Sequence, residues 1–247
     1  MVGGAPAVLA DARRRASAVA GAVVFAALVV YYETHEHWWK AGLWWDVGFI
    51  AAVLIPAAFS LDLFALPLRT WRGLLPAAAA FAVLAAVLEI GGVAVFANFA
   101  RLAAATLFGW WFLTLFESLS WVVLVALIIP WVDAYSVWRG PTKQIVAHHE
   151  HVFTVLSFAF PVPGERAGAN LGVPDLLFFA LFLAAAARFG LRVVPTWLGL
   201  VAGLGITIVL TVWLDLSGLP ALPGIALGFL VPNADLLWRD VRLRRAR

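Results

Sequence analysis

The chain has 247 residues, 64% of them hydrophobic and only 13% charged, and its mean hydropathy is +0.96. An ordinary soluble domain is roughly 25% charged, so this composition excludes a water-soluble fold. The net charge of +3 comes largely from arginines at residues 13–15 and 239–247, which read as membrane-surface anchors rather than nucleic-acid contacts. The absence of cysteine removes disulfides, thiolate metal sites and a Cys nucleophile from consideration.

Apolar runs of membrane-crossing length fall at residues 17–32, 44–66, 74–97, 102–116, 119–138, 171–189, 194–214 and 220–237. Such runs match a hydrocarbon core of about 30 Å, and in lipid the backbone polar groups must be satisfied within each segment. The expected fold is therefore an all-α, polytopic transmembrane bundle of about eight spans. The chain divides into N-terminal helices at 1–118 and a C-terminal core at 119–247 with a long connection at 139–170. The first residues lack the charged region and cleavage site of a removable signal peptide. An even span number puts both arginine-rich termini in the cytoplasm together with Arg69, Arg72, Arg188 and Arg192. The tryptophans fall mostly near span ends, as an aromatic belt would.

In the first half, Asp46 and Asp62 sit near span ends and read as solvated, whereas Glu89 falls mid-span and calls for a protonated state hydrogen-bonded to a neighbouring helix, or for a place on the wall of a polar cavity. All five histidines cluster, as His35 and His37 beside Glu33 and Glu36, and as His148, His149 and His151 beside Glu150. Neither cluster has the His-Glu-x-x-His spacing of a helical zinc site, so no metal or other cofactor is expected. Ser118, Ser120 and Ser136 have no histidine placed to activate them. The stretch from residue 151 to Pro161, rich in β-branched and aromatic residues, reads as a short strand at the membrane surface, open to pairing with an extended peptide.

The informative residues lie further on. Asp133, in Ile128-Ile-Pro-Trp-Val-Asp133, and Asp175, in Leu171-Gly-Val-Pro-Asp175, are carried inside apolar segments. There an ionisable group costs at least about 2.5 kcal/mol on insertion scales. Consecutive antiparallel spans place both at one depth. Two carboxylates that meet cannot both ionise and so share a proton, the arrangement of aspartyl hydrolysis. The alternative for each is pairing with Arg139, Lys143 or water at the interface. Gly199-x-x-x-Gly203 reads as a close helix contact.

Asp133-Ala-Tyr-Ser-Val-Trp-Arg-Gly-Pro-Thr-Lys143 resembles the segment following the first catalytic aspartate of the presenilin and signal peptide peptidase family, especially its archaeal and bacterial members. Gly172-Val-Pro-Asp175 is similar to that family's Gly-x-Gly-Asp motif, and Pro220-Ala221-Leu222 to its Pro-Ala-Leu triplet. The likeness covers about half the chain, and departs from the family at Val132, where tyrosine is usual, and at Pro174, where glycine is usual. The family commonly has nine spans. The resemblance implies an intramembrane aspartic protease of a prokaryotic plasma membrane, with Asp133 and Asp175 as its catalytic pair. Gly172, Pro220, Ala221 and Leu222 would then shape the substrate site, and transmembrane segments or signal-peptide remnants would be cut. Two other readings stand beside it: a homologue that binds membrane helices without cutting them, and a small proton- or metal-coupled transporter.

Overall fold

The computed structural model describes residues 5–139, 157–166, 168–216 and 218–245, with side chains for residues 15–137, 157–166, 168–216 and 218–239. The chain is mostly helical. Among the described residues, four helices are long and apolar enough to cross a membrane, Arg15–His37, Leu43–Thr70, Leu119–Val137 and Val193–Trp213, and Leu74–Ile90 is a shorter apolar one.

The first helix, α1 (Ala5–Thr34), closes in a 3-10 turn at His35–His37. A continuous rod follows, made of α2 (Leu43–Phe49), a π-helical turn (Ile50–Leu54), α3 (Ile55–Ala65) and a 3-10 turn (Leu66–Thr70). Pro56 has no N–H to donate one turn back, and the chain widens to π just before it. Because the rod continues past the apolar run, Asp62 lies more deeply than the sequence implies. It is 2% exposed, not solvated, with one carboxylate oxygen accepting from Thr106 Oγ1 at 2.8 Å. Asp46, at the other end of the rod, is half-buried.

The next two helices are α4 (Leu74–Ile90) and α5 (Ala94–Leu113). Their break falls at residues 91–93 rather than near residue 100, because Gly92 adopts φ +75°, a left-handed conformation open to glycine. Hydropathy does not drop there. The shift moves Glu89 from mid-span to the last turn of α4 and brings Asn98 and Arg101 inside α5. Glu89 is ion-paired with Arg101 rather than hydrogen-bonded as a neutral acid.

After α6 (Leu119–Arg139) comes an antiparallel hairpin of β1 (Ser157–Pro161) and β2 (Gly168–Gly172). It leads into α7 (Val173–Arg188), whose residues from Phe179 to Ala186 are all fully buried. A helix apolar on every side belongs at the centre of a bundle. One of its neighbours, α5, approaches closely enough that a Cβ on Gly109 would stand 2.6 Å from the Leu177 carbonyl.

The chain then forms α8 (Val193–Trp213), α9 (Leu222–Leu230), a 3-10 turn (Val231–Asn233) and α10 (Ala234–Arg245). The expected span at 220–237 is thus interrupted where Pro232 cannot continue the helix. The contact between α8 and α9 is backbone on backbone. Added Cβ atoms would meet the Gly228 carbonyl oxygen at 2.4 Å from Gly199, and the Gly224 carbonyl oxygen at 2.2 Å from Gly203. The close packing read from Gly199 and Gly203 therefore has a matching pair, Gly224 and Gly228, on the partner helix. Asn233 locks the far end: its amide donates to Thr196 and to the Phe229 carbonyl, and its oxygen accepts from the Arg192 N–H.

The helices run back and forth, so that one end of the bundle gathers Arg69, Arg72, Arg188, Arg192 and α10. A bidentate Arg192 to Asp235 pair lies there, and its guanidinium holds the Asp235 carboxyl below the usual carboxylate range. Trp71 and Trp238 are exposed at this end, and Trp38, Trp39, Trp44 and Trp45 at the other, whereas Trp110 is buried in the core. The N- and C-terminal halves share one core, with the hairpin and α7 packed against α1 and α5.

Candidate active site

Asp133 stands near the end of α6 and Asp175 in the first turn of α7, both half-buried and within electrostatic range of each other. The Asp133 carboxylate is held by helix-start amides. Those N–H groups have no acceptor inside their own helix and carry the positive end of its dipole. Ala221 is the N-cap of α9, and the Leu222 N–H donates to Asp133 Oδ2 at 3.0 Å, with the Ala221 N–H directed at the same carboxylate. Asp175 is the third residue of α7, and its carboxylate lies beside the N-cap of that helix, Gly172. The structure thus brings Asp133, Asp175, Gly172, Ala221 and Leu222 together. Pro220 is half-buried just before Ala221. The Leu222 amide binds Asp133 and is not left open for a substrate.

Gly172 has ordinary extended angles, φ −65° and ψ 149°, so conformational freedom is not what the position requires. Room is. A Cβ there would stand 3.3 Å from Asp175 Oδ2 and 3.5 Å from the Pro174 ring. Pro174 occupies the second position of α7, where a missing N–H costs no helical bond and φ near −65° is already helical. Val132 is 54% exposed. One turn before Asp133, Pro130 withholds an N–H from the carbonyl of Ala126 and loosens α6 at the site. The outer face of α6, with Ile128, Trp131 and Tyr135 exposed, is open to the surroundings.

Of the strand expected over 151–161, residues 157–161 form β1, with partners that differ from the expected substrate, and residues 151–156 lie outside the described residues. The Ala159 N–H donates to Asn98 Oδ1 at 2.9 Å, and the Ala159 carbonyl accepts from Asn98 Nδ2 and Tyr32 Oη. Arg101 donates to the Ser157 carbonyl and Tyr31 to that of Pro161, which has no N–H to leave unpaired. Side chains of α1 and α5 therefore fill the outer edge of β1, and a substrate cannot pair there. Since Ala159 turns its polar groups away from β2, its cross-strand partner Asn170 is in a non-hydrogen-bonded pair and turns its own groups to the opposite edge. Among the described residues, Gly168 and Asn170 thus present an edge of the sheet without a paired strand, which leads to Gly172 and Asp175. The clamp residues Tyr31, Tyr32, Asn98 and Arg101 escaped the sequence reading. Asn98 and Arg101 become visible as polar residues in an apolar helix once the helix break is set at Gly91 and Gly92.

Beside the site, α4, α5 and α7 enclose a groove of about 470 Å³ lined by Ala78, Ala82, Ala86 and Ala105, with the Glu89 and Arg101 pair at one end and Val173 on its wall. Among the described residues, no three His, Asp or Glu side chains are arranged to hold a metal. The His35 ring instead bonds the Tyr32 carbonyl at 2.7 Å, and His148, His149 and His151 lie outside the described residues. No protein-family model matches the chain, and no curated protein matches it either.

Proposed function

We propose that the chain is an integral membrane hydrolase in which Asp133 and Asp175 form an aspartic dyad. In particular, we propose an intramembrane aspartic endopeptidase of the presenilin and signal peptide peptidase type. It has eight membrane segments, with the arginine-rich end in the cytoplasm of a prokaryote. The observation that carries the reading is that Asp175 lies within electrostatic range of Asp133, which is itself held at the start of α9. With one proton held between them, the ionised carboxyl takes a proton from water while the protonated one donates to the scissile carbonyl oxygen. The water oxygen bonds to the carbonyl carbon. The carbon–nitrogen bond then breaks as the amine takes a proton from one carboxyl, while a hydroxyl of the diol returns its proton to the other, leaving a new carboxylic acid and the dyad with its one proton restored. The substrates are transmembrane segments or signal-peptide remnants, which must unwind locally to be cut. The Gly168 and Asn170 edge of β2 offers an extended peptide main-chain partners leading to Asp175.

That edge supplies a discriminating test on a transmembrane peptide in proteoliposomes. Asn170→Pro removes an outward N–H without breaking a β1 to β2 bond, and is expected to lower cleavage roughly tenfold. Asn170→Ala loses the contact from Ser157 but keeps the N–H, and is expected to cleave near the parent rate. Equal losses in both would sink the edge-pairing step. Gly172→Ala pushes on the Asp175 carboxylate by a few tenths of an ångström, and is expected to lower kcat several-fold with little change in thermal midpoint. A kcat unchanged by this substitution would show that the fit around Asp175 is not limiting.

A further inference from the structure

At the arginine-rich end, a second cavity of about 390 Å³ opens where three helical segments finish: the 3-10 turn at Leu66–Thr70, α5 and α7. Its lining includes Arg69, Thr70, Trp110, Thr114 and Arg188. Both arginines are pinned from behind. Arg69 donates to the Leu66 carbonyl at 3.2 Å, and Arg188 to the Leu113 carbonyl at 2.6 Å while its guanidinium lies 5.2 Å from the Phe189 ring centre. Among the described residues neither has a carboxylate partner, whereas Arg101 and Arg192 pair with Glu89 and Asp235. Glu117, in the adjoining turn, pairs with neither.

Each guanidinium has five N–H donors, and one carbonyl bond leaves most of them available. The three helix ends contribute partial negative charge, about half a unit each at most, less than the two full positive charges set into the same cavity. Trp110 adds a buried indole N–H that has no partner among the described residues. This donor set fits a phosphate. The neighbouring residues decide its source: Leu68, Trp71 and Leu115, each next in sequence to a lining residue, are exposed, the apolar and aromatic character of a membrane interface.

We infer that the Arg69 and Arg188 cavity binds the phosphate of an anionic phospholipid, the headgroup lying between the guanidiniums and the acyl chains running along the outer helices. The site stands apart from the carboxylate pair and does not depend on its chemistry.

The full chain, purified and exchanged into phosphatidylcholine micelles, provides the test. Adding phosphatidylglycerol is expected to raise the thermal midpoint in a concentration-dependent way. Arg69→Gln and Arg188→Gln are each expected to weaken that response by roughly fivefold in apparent affinity. Arg72→Gln, an exposed arginine outside the cavity, is expected to leave it unchanged. Thr114→Phe fills the cavity with both arginines in place and is expected to abolish the response, so the test does not hang on one variant folding. A response retained in the double glutamine variant, or lost equally in Arg72→Gln, would overturn the site. An equal rise produced by inorganic phosphate in phosphatidylcholine alone would overturn the assignment to lipid.

Discussion

Asp133→Asn and Asp175→Asn are each expected to lower peptide cleavage by at least about a thousandfold, and the double variant to be no worse than either single one. The reason is that the dyad works as a unit. Removing one carboxyl takes away either the proton acceptor for water or the donor to the scissile carbonyl, and the survivor cannot supply both. Asparagine matches aspartate in size and can still accept from the Leu222 N–H, so the site's packing is kept. The thermal midpoints of both variants should therefore stay at or above the parent's, since a buried carboxyl pair is costly to hold. Additive losses in the double variant would show that the two groups act separately.

The second large effect lies away from the carboxylates. Gly203→Ala places a methyl 2.2 Å from the Gly224 carbonyl oxygen, and Gly224→Ala places one 2.6 Å from that of Gly203. These partners are backbone atoms and cannot swing aside, so α8 and α9 must separate. Overpacking of this kind typically costs about 1 to 3 kcal/mol. Each substitution is expected to lower the thermal midpoint in detergent and to lower cleavage as well, because α9 carries the Leu222 amide that holds Asp133. Since either methyl forces the same separation, the second should add little to the first. A midpoint and rate both unchanged in Gly203→Ala would show that the helices do not cross as described.

The helices of this chain were legible because lipid leaves the backbone few alternatives, and the long apolar runs at residues 119–138 and 194–214 nearly coincide with α6 and α8. The misplaced features share a cause: hydropathy does not mark backbone geometry. It stays high through Gly91 and Gly92, where the chain turns, and it falls at Leu66–Thr70, where the helical rod continues. The burial of Asp62 and the place of Glu89 in the last turn of α4 follow from those two points.

Asp133 and Asp175 stood out because charges are rare in such segments. Their placement depends on how α6, α7 and α9 pack, and α9 is seated by glycine contacts with α8, of which Gly199-x-x-x-Gly203 marks one half in the sequence. The filled edge of β1 was the least legible feature. It depends on Tyr31 and Tyr32, which lie 130 and 127 residues from the carbonyls they bind, and no local pattern announces that.

The most direct measurement is product analysis by mass spectrometry after incubating a transmembrane peptide with proteoliposomes in ¹⁸O-water. The account predicts two fragments from a single cut, with one ¹⁸O in the new carboxyl terminus, and neither fragment from Asp133→Asn or Asp175→Asn. Labelled fragments formed at the parent rate by either variant, or no cleavage of any transmembrane peptide by the parent, would contradict it.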